Sequence, residues 1–255
     1  MANPAIEIRD VTFRTPQGRA LLEGINLQLE EGSTTALLGR SGSGKTTLLR
    51  MVNRMLTPTG GSILVQGRPV SDIDVIRLRR GIGYVIQETG LFPHFTVERN
   101  VGVVPEISGV RREEFLPRTH ELLAMVGLDT SRFATRFPHQ LSGGQRQRVG
   151  LARALAGDPG ILLMDEPFGA LDPLTRAEMQ DMLRELLLRL QKTVLLVTHD
   201  LDEALYLAKR IVLMEEGKVV ADLPSSDFVA STNPAVQAYV HAVHRGLNGN
   251  AQAAQ

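Results

Sequence analysis

No cysteine occurs among the 255 residues. That excludes disulfides, thiolate metal sites and a cysteine nucleophile, and it is compatible with a reducing compartment. An excess of either charge is missing too, because Lys plus Arg and Asp plus Glu each number 28. No whole-molecule field therefore draws the chain to nucleic acid or anionic lipid, and partners must be chosen by local surface. Apolar runs such as Ile161 to Met164 and Val194 to Val197 are strand-sized, far short of the roughly 20 residues that span a bilayer. The first residues, Met-Ala-Asn-Pro-Ala-Ile-Glu, lack a basic segment followed by an apolar one, so no signal peptide is expected. No internal repeat is found. These absences lead to the expectation of a soluble protein whose membrane role, if any, comes through a partner. The length suits one large or two modest domains with a substantial core.

What is present centres on Gly39 to Thr47, which reads Gly-Arg-Ser-Gly-Ser-Gly-Lys-Thr-Thr. It fits the pattern G-x-x-x-x-G-K-[ST], with Gly39, Gly44, Lys45 and Thr46 in the four fixed places. Between them lie Arg40, Ser41, Gly42 and Ser43, and Thr47 follows. Glycines let the backbone curl so that successive N–H groups point inward, and a helix starting near Lys45 adds its positive dipole end. Lys45 would reach the β- and γ-phosphates of a nucleotide, and Thr46 would offer its hydroxyl to Mg²⁺. The plainer alternative is a flexible Gly/Ser loop. An apolar run before it and a helix-like run after it supply the context that a phosphate cradle needs.

Along the chain, Ile6 to Phe13 alternates apolar and polar residues and Leu27 to Leu29 resumes that alternation, which predicts an antiparallel sheet. Thr34 to Leu38 reads as a buried strand, Lys45 to Met55 as a helix, and Ile82 to Ile86 as a strand ending at Gln87. From about 88 to 158, scattered prolines and helix-period segments such as Glu113 to Val126 predict an inserted helical subdomain. Ile161 to Met164 is an unbroken apolar run before Asp165-Glu166, as expected of a parallel strand delivering acids at its C-terminal end. Met179, Met182, Leu183, Leu186, Leu187 and Leu190 recur at helical spacing, so these methionines are read as core. Val194 to Val197 is a further strand ending at Thr198-His199-Asp200. From Gly246 the small polar residues predict a disordered tail over 246–255. The fold class is α/β: a phosphate-cradle NTPase core with a mostly parallel sheet, an antiparallel β subdomain and the helical insert.

Asp165 fits the second acid of such an NTPase, holding Mg²⁺ directly or through water, although a surface acid at a strand end is the commoner case. Glu166 is suited to orient or deprotonate an attacking water. His199 is either structural or a γ-phosphate contact.

Leu141-Ser142-Gly143-Gly144-Gln145 completes a set that resembles the ATP-binding subunits of ABC transporters. The resemblance runs from Ile6 to about Phe228, and six parts follow the family's order: the cradle at 39–47, Gln87, the signature at 141–145, Ile161 to Glu166, Ala170-Leu171-Asp172, and His199. It implies that Phe13 stacks on adenine, where many relatives carry tyrosine and phenylalanine keeps the stacking face. It also implies that Gln87 senses Mg²⁺ and the water, that Glu166 is the catalytic base, and that His199 contacts the γ-phosphate. The metal set is then Thr46, Gln87 and Asp165.

The signature also argues for two copies. Ser142 and the N–H groups of Gly143, Gly144 and Gln145 form a second anion-binding helix end, and in the family this end faces the nucleotide of the other subunit. Ser142 as a plain N-cap is the alternative, and both can hold. Asp172, which the family sets at the dimer interface, is equally readable as the N-cap of a helix opened by Pro173.

Segments 84–97 and 168–176 are similar to importers of quaternary amines such as glycine betaine, choline and carnitine. Segments like Gly90-Leu-Phe-Pro-His94 help form the groove for a cytoplasmic helix of the membrane permease, though Phe92 and Phe95 are also readable as core. About 30 residues follow Ser225, so gating through the paired regulatory domains of some such importers is not expected within this chain. The resemblance implies ATP and Mg²⁺ as cofactors. As partners it implies a second copy, permease subunits and, indirectly, a solute-binding protein, at the cytoplasmic face of the membrane. The alternatives are an ABC importer ATPase for another small solute such as an amino acid, and a non-transport ABC ATPase acting on nucleic acid or ribosomes, the latter disfavoured by zero net charge. A module that has lost hydrolysis is disfavoured by the presence of Lys45, Gln87, Asp165, Glu166 and His199.

Overall fold

The computed structural model describes residues 4–87 and 89–252, with the backbone alone for 244–252. In chain order the elements are β1 (Ile6–Arg14), β2 (Ala20–Leu29), β3 (Thr34–Leu38), α1 (Lys45–Val52), β4 (Gly60–Val65), β5 (Arg68–Pro69), α2 (Val75–Arg80) and β6 (Ile82–Val85). Then follow α3 (Val97–Ile107), α4 (Arg112–Met125), α5 (Thr130–Phe133), α6 (Gly143–Leu155), β7 (Ile161–Asp165), α7 (Pro173–Leu190) and β8 (Thr193–Thr198). The chain ends with α8 (Leu201–Leu207), β9 (Arg210–Glu215), β10 (Lys218–Pro224), α9 (Ser225–Phe228) and α10 (Pro234–Gln252). Two compact units result: the segment to Pro69 joined by the segment from Leu195, and Val70–Val194.

The first unit holds an antiparallel sheet in the order β2-β1-β4-β5. Its alternation is the one read from sequence: Ile6 and Ile8 are buried while Arg9 and Asp10 face outward, with a register shift between Ile8 and Val11. A second set of strands has every residue of β3 buried, because β3 pairs in parallel with β9 and β9 continues antiparallel into β10. Against it Leu38, Leu201, Ala204, Ile211, Leu213, Phe228, Val236 and Tyr239 form one core. Burying each large apolar side chain contributes about 1.5–3 kcal/mol, so α8, α9 and α10 are fixed to these strands by their apolar faces.

In the second unit, β6 and β7 run in parallel from Ile82 opposite Ile161 to Val85 opposite Met164. All five residues of β7 are buried. Helices α3 to α6 follow one another without an intervening strand, and α7 buries Met179, Leu183 and Leu186. Asn100, fully buried on α3, accepts from Phe92 N and donates to the carbonyls of Phe92, Phe95 and Thr96, which pins the turn before that helix.

Val75–Arg80 is a helix not read from the sequence, and Asp74 caps it by accepting from Arg77 N. Where a tail was expected from Gly246, α10 continues to Gln252. Gly246, Asn248, Gly249 and Asn250 are poor helix formers, but adding turns to an established helix costs far less than nucleating one. Residues 253–255 of that expected tail lie outside the described residues.

Candidate functional site

The cradle belongs to the first unit. Gly39 leaves β3 with φ 151°, Gly42 has φ 81° and Gly44 has φ 101°. Two of these positions exclude a side chain: a Cβ on Gly39 would lie 2.2 Å from the Met214 carbonyl oxygen, and one on Gly44 2.6 Å from Leu22 Cδ2. The loop is cross-braced by Ser43 N to Arg40 O (3.2 Å) and by Gly217 N to Ser43 O (3.1 Å). Lys45 is only 4% exposed, and its ammonium donates to Gly39 O at 2.7 Å, Arg40 O at 2.9 Å and Ser43 Oγ at 3.4 Å. The lysine thus closes the curl it belongs to. Helix α1 begins at Lys45, and its N-cap, Gly44, supplies no side-chain cap, so the helix's positive dipole end is open to an anion. Arg40, Ser41 and Gly42 are exposed, Thr46 and Thr47 half-buried.

The same unit holds Phe13, half-buried on β1 opposite Leu22, and His199, exposed just beyond β8. The second unit holds the acids. Asp165 ends β7 at 5% exposure, and the Tyr84 hydroxyl lies 3.4 Å from its Oδ2. Glu166 follows with φ 46°, a left-handed conformation that a non-glycine residue adopts at a cost and that recurs at functional sites. Gln87 and Glu166 come together around Gly169: a Cβ placed there would lie 3.7 Å from Gln87 Nε2 and 3.8 Å from Glu166 Oε2. A buried carboxylate, a strained neighbouring carboxylate and an amide are therefore gathered at the ends of two parallel strands.

The signature opens α6 as a reciprocal cap. Gln145 N donates to Ser142 Oγ (3.2 Å) while Ser142 N donates to Gln145 Oε1 (3.0 Å). Gly143 is exposed and Gly144 buried, where a Cβ would meet Thr175 Cγ2 at 2.5 Å. Asp172 caps α7 by accepting from Thr175 N at 3.1 Å, with Pro173 at the first helical position. The Thr175 hydrogen bonds hold its carboxyl below the usual carboxylate value. Both cap readings are thus realised, and both side chains remain exposed. A cleft of about 200 Å³ is lined by Gln87, Gly143, Arg146, Gln147, Pro167 and Leu171. Within it Gln147 Nε2 is buried and has no hydrogen-bond partner.

Phe92, one of two aromatics read either as groove or as core, is 42% exposed. It touches Phe95 at 5.0 Å between ring centroids, and Arg99 lies 4.0 Å over the Phe95 ring. No group of three His, Cys, Asp or Glu side chains able to hold a metal exists among the described residues, nor does any helix there long and apolar enough to cross a membrane.

The model of the ABC transporter family matches residues 22–169. The chain belongs to the ABC transporter family. It is 46% identical over 238 residues to the osmoprotectant import ATP-binding protein OsmV of Salmonella typhimurium, covering 89% of this chain and 62% of that one. To the glycine betaine uptake system ATP-binding protein YehX of Escherichia coli it is 48% identical, covering 80% and 69%. To the choline transport ATP-binding protein OpuBA of Bacillus subtilis it is 45% identical, covering 84% and 56%. The chain therefore spans somewhat more than half the length of these relatives. Among solved structures, cbiO1 from Clostridium perfringens matches with a TM-score of 0.83 at 28% identity, over 91% of this chain and 93% of that one. The ATP-binding cassette MJ0796, dimeric and bound to ADP and Pi, matches with a TM-score of 0.76 at 35% identity, over 86% and 98%.

Asn100 and Tyr239 were not singled out from sequence. Asn100 sits at helical spacing among apolar neighbours, a pattern that marks a buried polar anchor. Tyr239 belongs to the stripe Val236, Tyr239, Val240, Val243, whose period announces an amphipathic helix.

Proposed function

We propose that this ABC family member binds Mg-ATP and hydrolyses it in pairs, energising an importer of quaternary amines such as glycine betaine, choline or carnitine. The observation that carries this reading is the uncapped N-terminus of α1, wrapped by the Gly39 to Thr47 curl and closed by a buried Lys45. An anion entering that curl gains the first-turn N–H groups, and Lys45 exchanges main-chain carbonyls for phosphate oxygens, a charge-assisted contact. Thr46 and Asp165 supply the hydroxyl and buried carboxylate that suit Mg²⁺, an ion that keeps several waters and phosphate oxygens and so needs no cluster of three acids. When bound, Mg²⁺ neutralises charge on the phosphates. Phe13 offers its ring face to adenine. Glu166 accepts the proton of the attacking water, Gln87 orients that water, and His199 donates to the γ-phosphate.

The exposed signature turn, Ser142 to Gln145, serves the nucleotide of a second copy, with Asp172 at the same interface. Closure and reopening of the pair are passed to permease subunits at the membrane through the exposed segment around Phe92. A solute-binding protein delivers the cargo to that permease, and nucleic acid has no part. The kinship with OsmV, YehX and OpuBA supports the substrate class.

The test is phosphate release by the purified chain with ATP and Mg²⁺. Removing a positioned general base costs about 10²- to 10⁴-fold, so Glu166→Gln should lose turnover by that factor while ATP binding persists. A fully active variant removes Glu166 from the role of base. For the substrate, labelled glycine betaine uptake should require this chain in cells that hold its permease, and equal uptake without it contradicts the assignment.

A further inference from the structure

The ring of His199 is exposed, yet its main chain is held on both sides. Before it, the Thr198 hydroxyl donates to the buried carboxylate of Glu203 at 2.6 Å. After it, Asp200 N donates to Thr198 Oγ1 at 3.0 Å, and the Asp200 carboxylate caps α8 by accepting from Asp202 N and Glu203 N. These bonds are local and fix the turn to its own helix. The bond to His199 itself comes from elsewhere in the chain. Tyr239 on α10, 7% exposed and packed in the core with Leu38, Leu201 and Leu213, donates its hydroxyl to the His199 carbonyl oxygen at 2.7 Å.

We propose that Tyr239 is a positioning residue for His199, making α10 a strut that sets where the imidazole stands during ATP hydrolysis. This rests on the role given to His199 above. A carbonyl fixed from a rigid core restrains the peptide plane that follows the residue, and with it the direction of the Cα–Cβ bond. A histidine on a strand-end turn without that restraint samples several directions, and each departure from the productive one costs rate. The phenol keeps its proton throughout the physiological range, since burial, reinforced by the Asp200 carboxylate and partly offset by Arg40, pushes its pKa up to about 12. The donor is therefore permanent, as a strut requires.

The experiment compares Tyr239→Phe, His199→Ala, their double variant and Val236→Ala, which loosens the same helix face without touching the hydrogen bond. Loss of one neutral hydrogen bond should lower kcat of Tyr239→Phe roughly threefold to tenfold with KM for ATP unchanged. Val236→Ala should lower the melting temperature but leave kcat alone. In the His199→Ala background Tyr239→Phe should have no further effect on kcat. An unchanged kcat for Tyr239→Phe, an equal fall for Val236→Ala, or multiplicative effects in the double variant overturns the proposal. Histidine-ring NMR on the nucleotide-free chain keeps this separate from the hydrolysis reading. Tyr239→Phe should shift and broaden the His199 resonance while those of His94 and His139 stay fixed, and an unmoved His199 signal overturns the strut even in a chain without ATPase activity.

Discussion

The two helix N-termini that the sequence marks for anions, those of α1 and α6, are built in opposite ways. At α1 the N-cap is a glycine in the left-handed region and no side chain caps the helix. At α6 a serine and a glutamine cap each other, so two backbone N–H groups already have partners. At the α1 turn Lys45 is buried and Gly44, Thr46 and Thr47 are half-buried; the α6 turn carries an exposed Ser142 and Gly143. A helix end without a side-chain cap, inside a preformed curl, offers its dipole end to an anion. A helix end that is self-satisfied and exposed is stable without a ligand and adds its dipole and remaining donors to one brought from outside. In the proposed function one binds and the other completes.

Four substitutions test this contrast. Gly44→Ala should have the largest effect. A left-handed non-glycine residue costs about 1–3 kcal/mol and overpacking against Leu22 about as much again, so urea denaturation should show a loss of several kcal/mol. Wild-type stability would mean the curl is not fixed by its backbone. Next, Lys45→Ala removes charged hydrogen bonds worth about 1.5–3 kcal/mol, so ATP affinity measured by equilibrium titration should fall roughly tenfold to a hundredfold. Ser142→Ala should cost only about 1 kcal/mol, the usual value of an N-cap. It should leave ATP affinity untouched but reduce turnover; weakened binding by the single chain would put both helix ends on an equal footing. The smallest effect is expected at Asp172. The Thr175 hydrogen bonds hold its carboxyl below its usual value, so its contribution to stability is full at neutral pH and is lost as pH falls through the folded value. Thermal melts of Asp172→Asn should therefore lie slightly below wild type at neutral pH and converge with it in acid.

How much of this was legible in the sequence follows the range of the interactions. The cradle was readable because its demands are local: glycines where the curl excludes a Cβ, a lysine and a threonine at set spacing, a strand before and a helix after. Asp165 and Glu166 were readable because a buried parallel strand must end where its apolar run ends. Ser142 and Asp172 left cap and site open together, and both caps are present. The strut from Tyr239 was not readable as such. Its partner is a main-chain carbonyl 40 residues away, and no local pattern encodes which carbonyl a buried phenol will meet. Nor did the strained backbone of Glu166 leave a mark in the sequence, since glutamate has no preference for positive φ.

In the proposed function the cradle of one chain is completed by the signature of another, and mixing two impaired variants tests this. Lys45→Ala spoils the cradle and spares the signature; Ser142→Ala does the reverse. In a mixture, a pair of one of each contains one intact composite site. Phosphate release should then rise above that of the two variants measured separately, by up to about a quarter of wild type for two-fold pairs formed at random. A mixture no more active than the two variants measured separately would contradict the account.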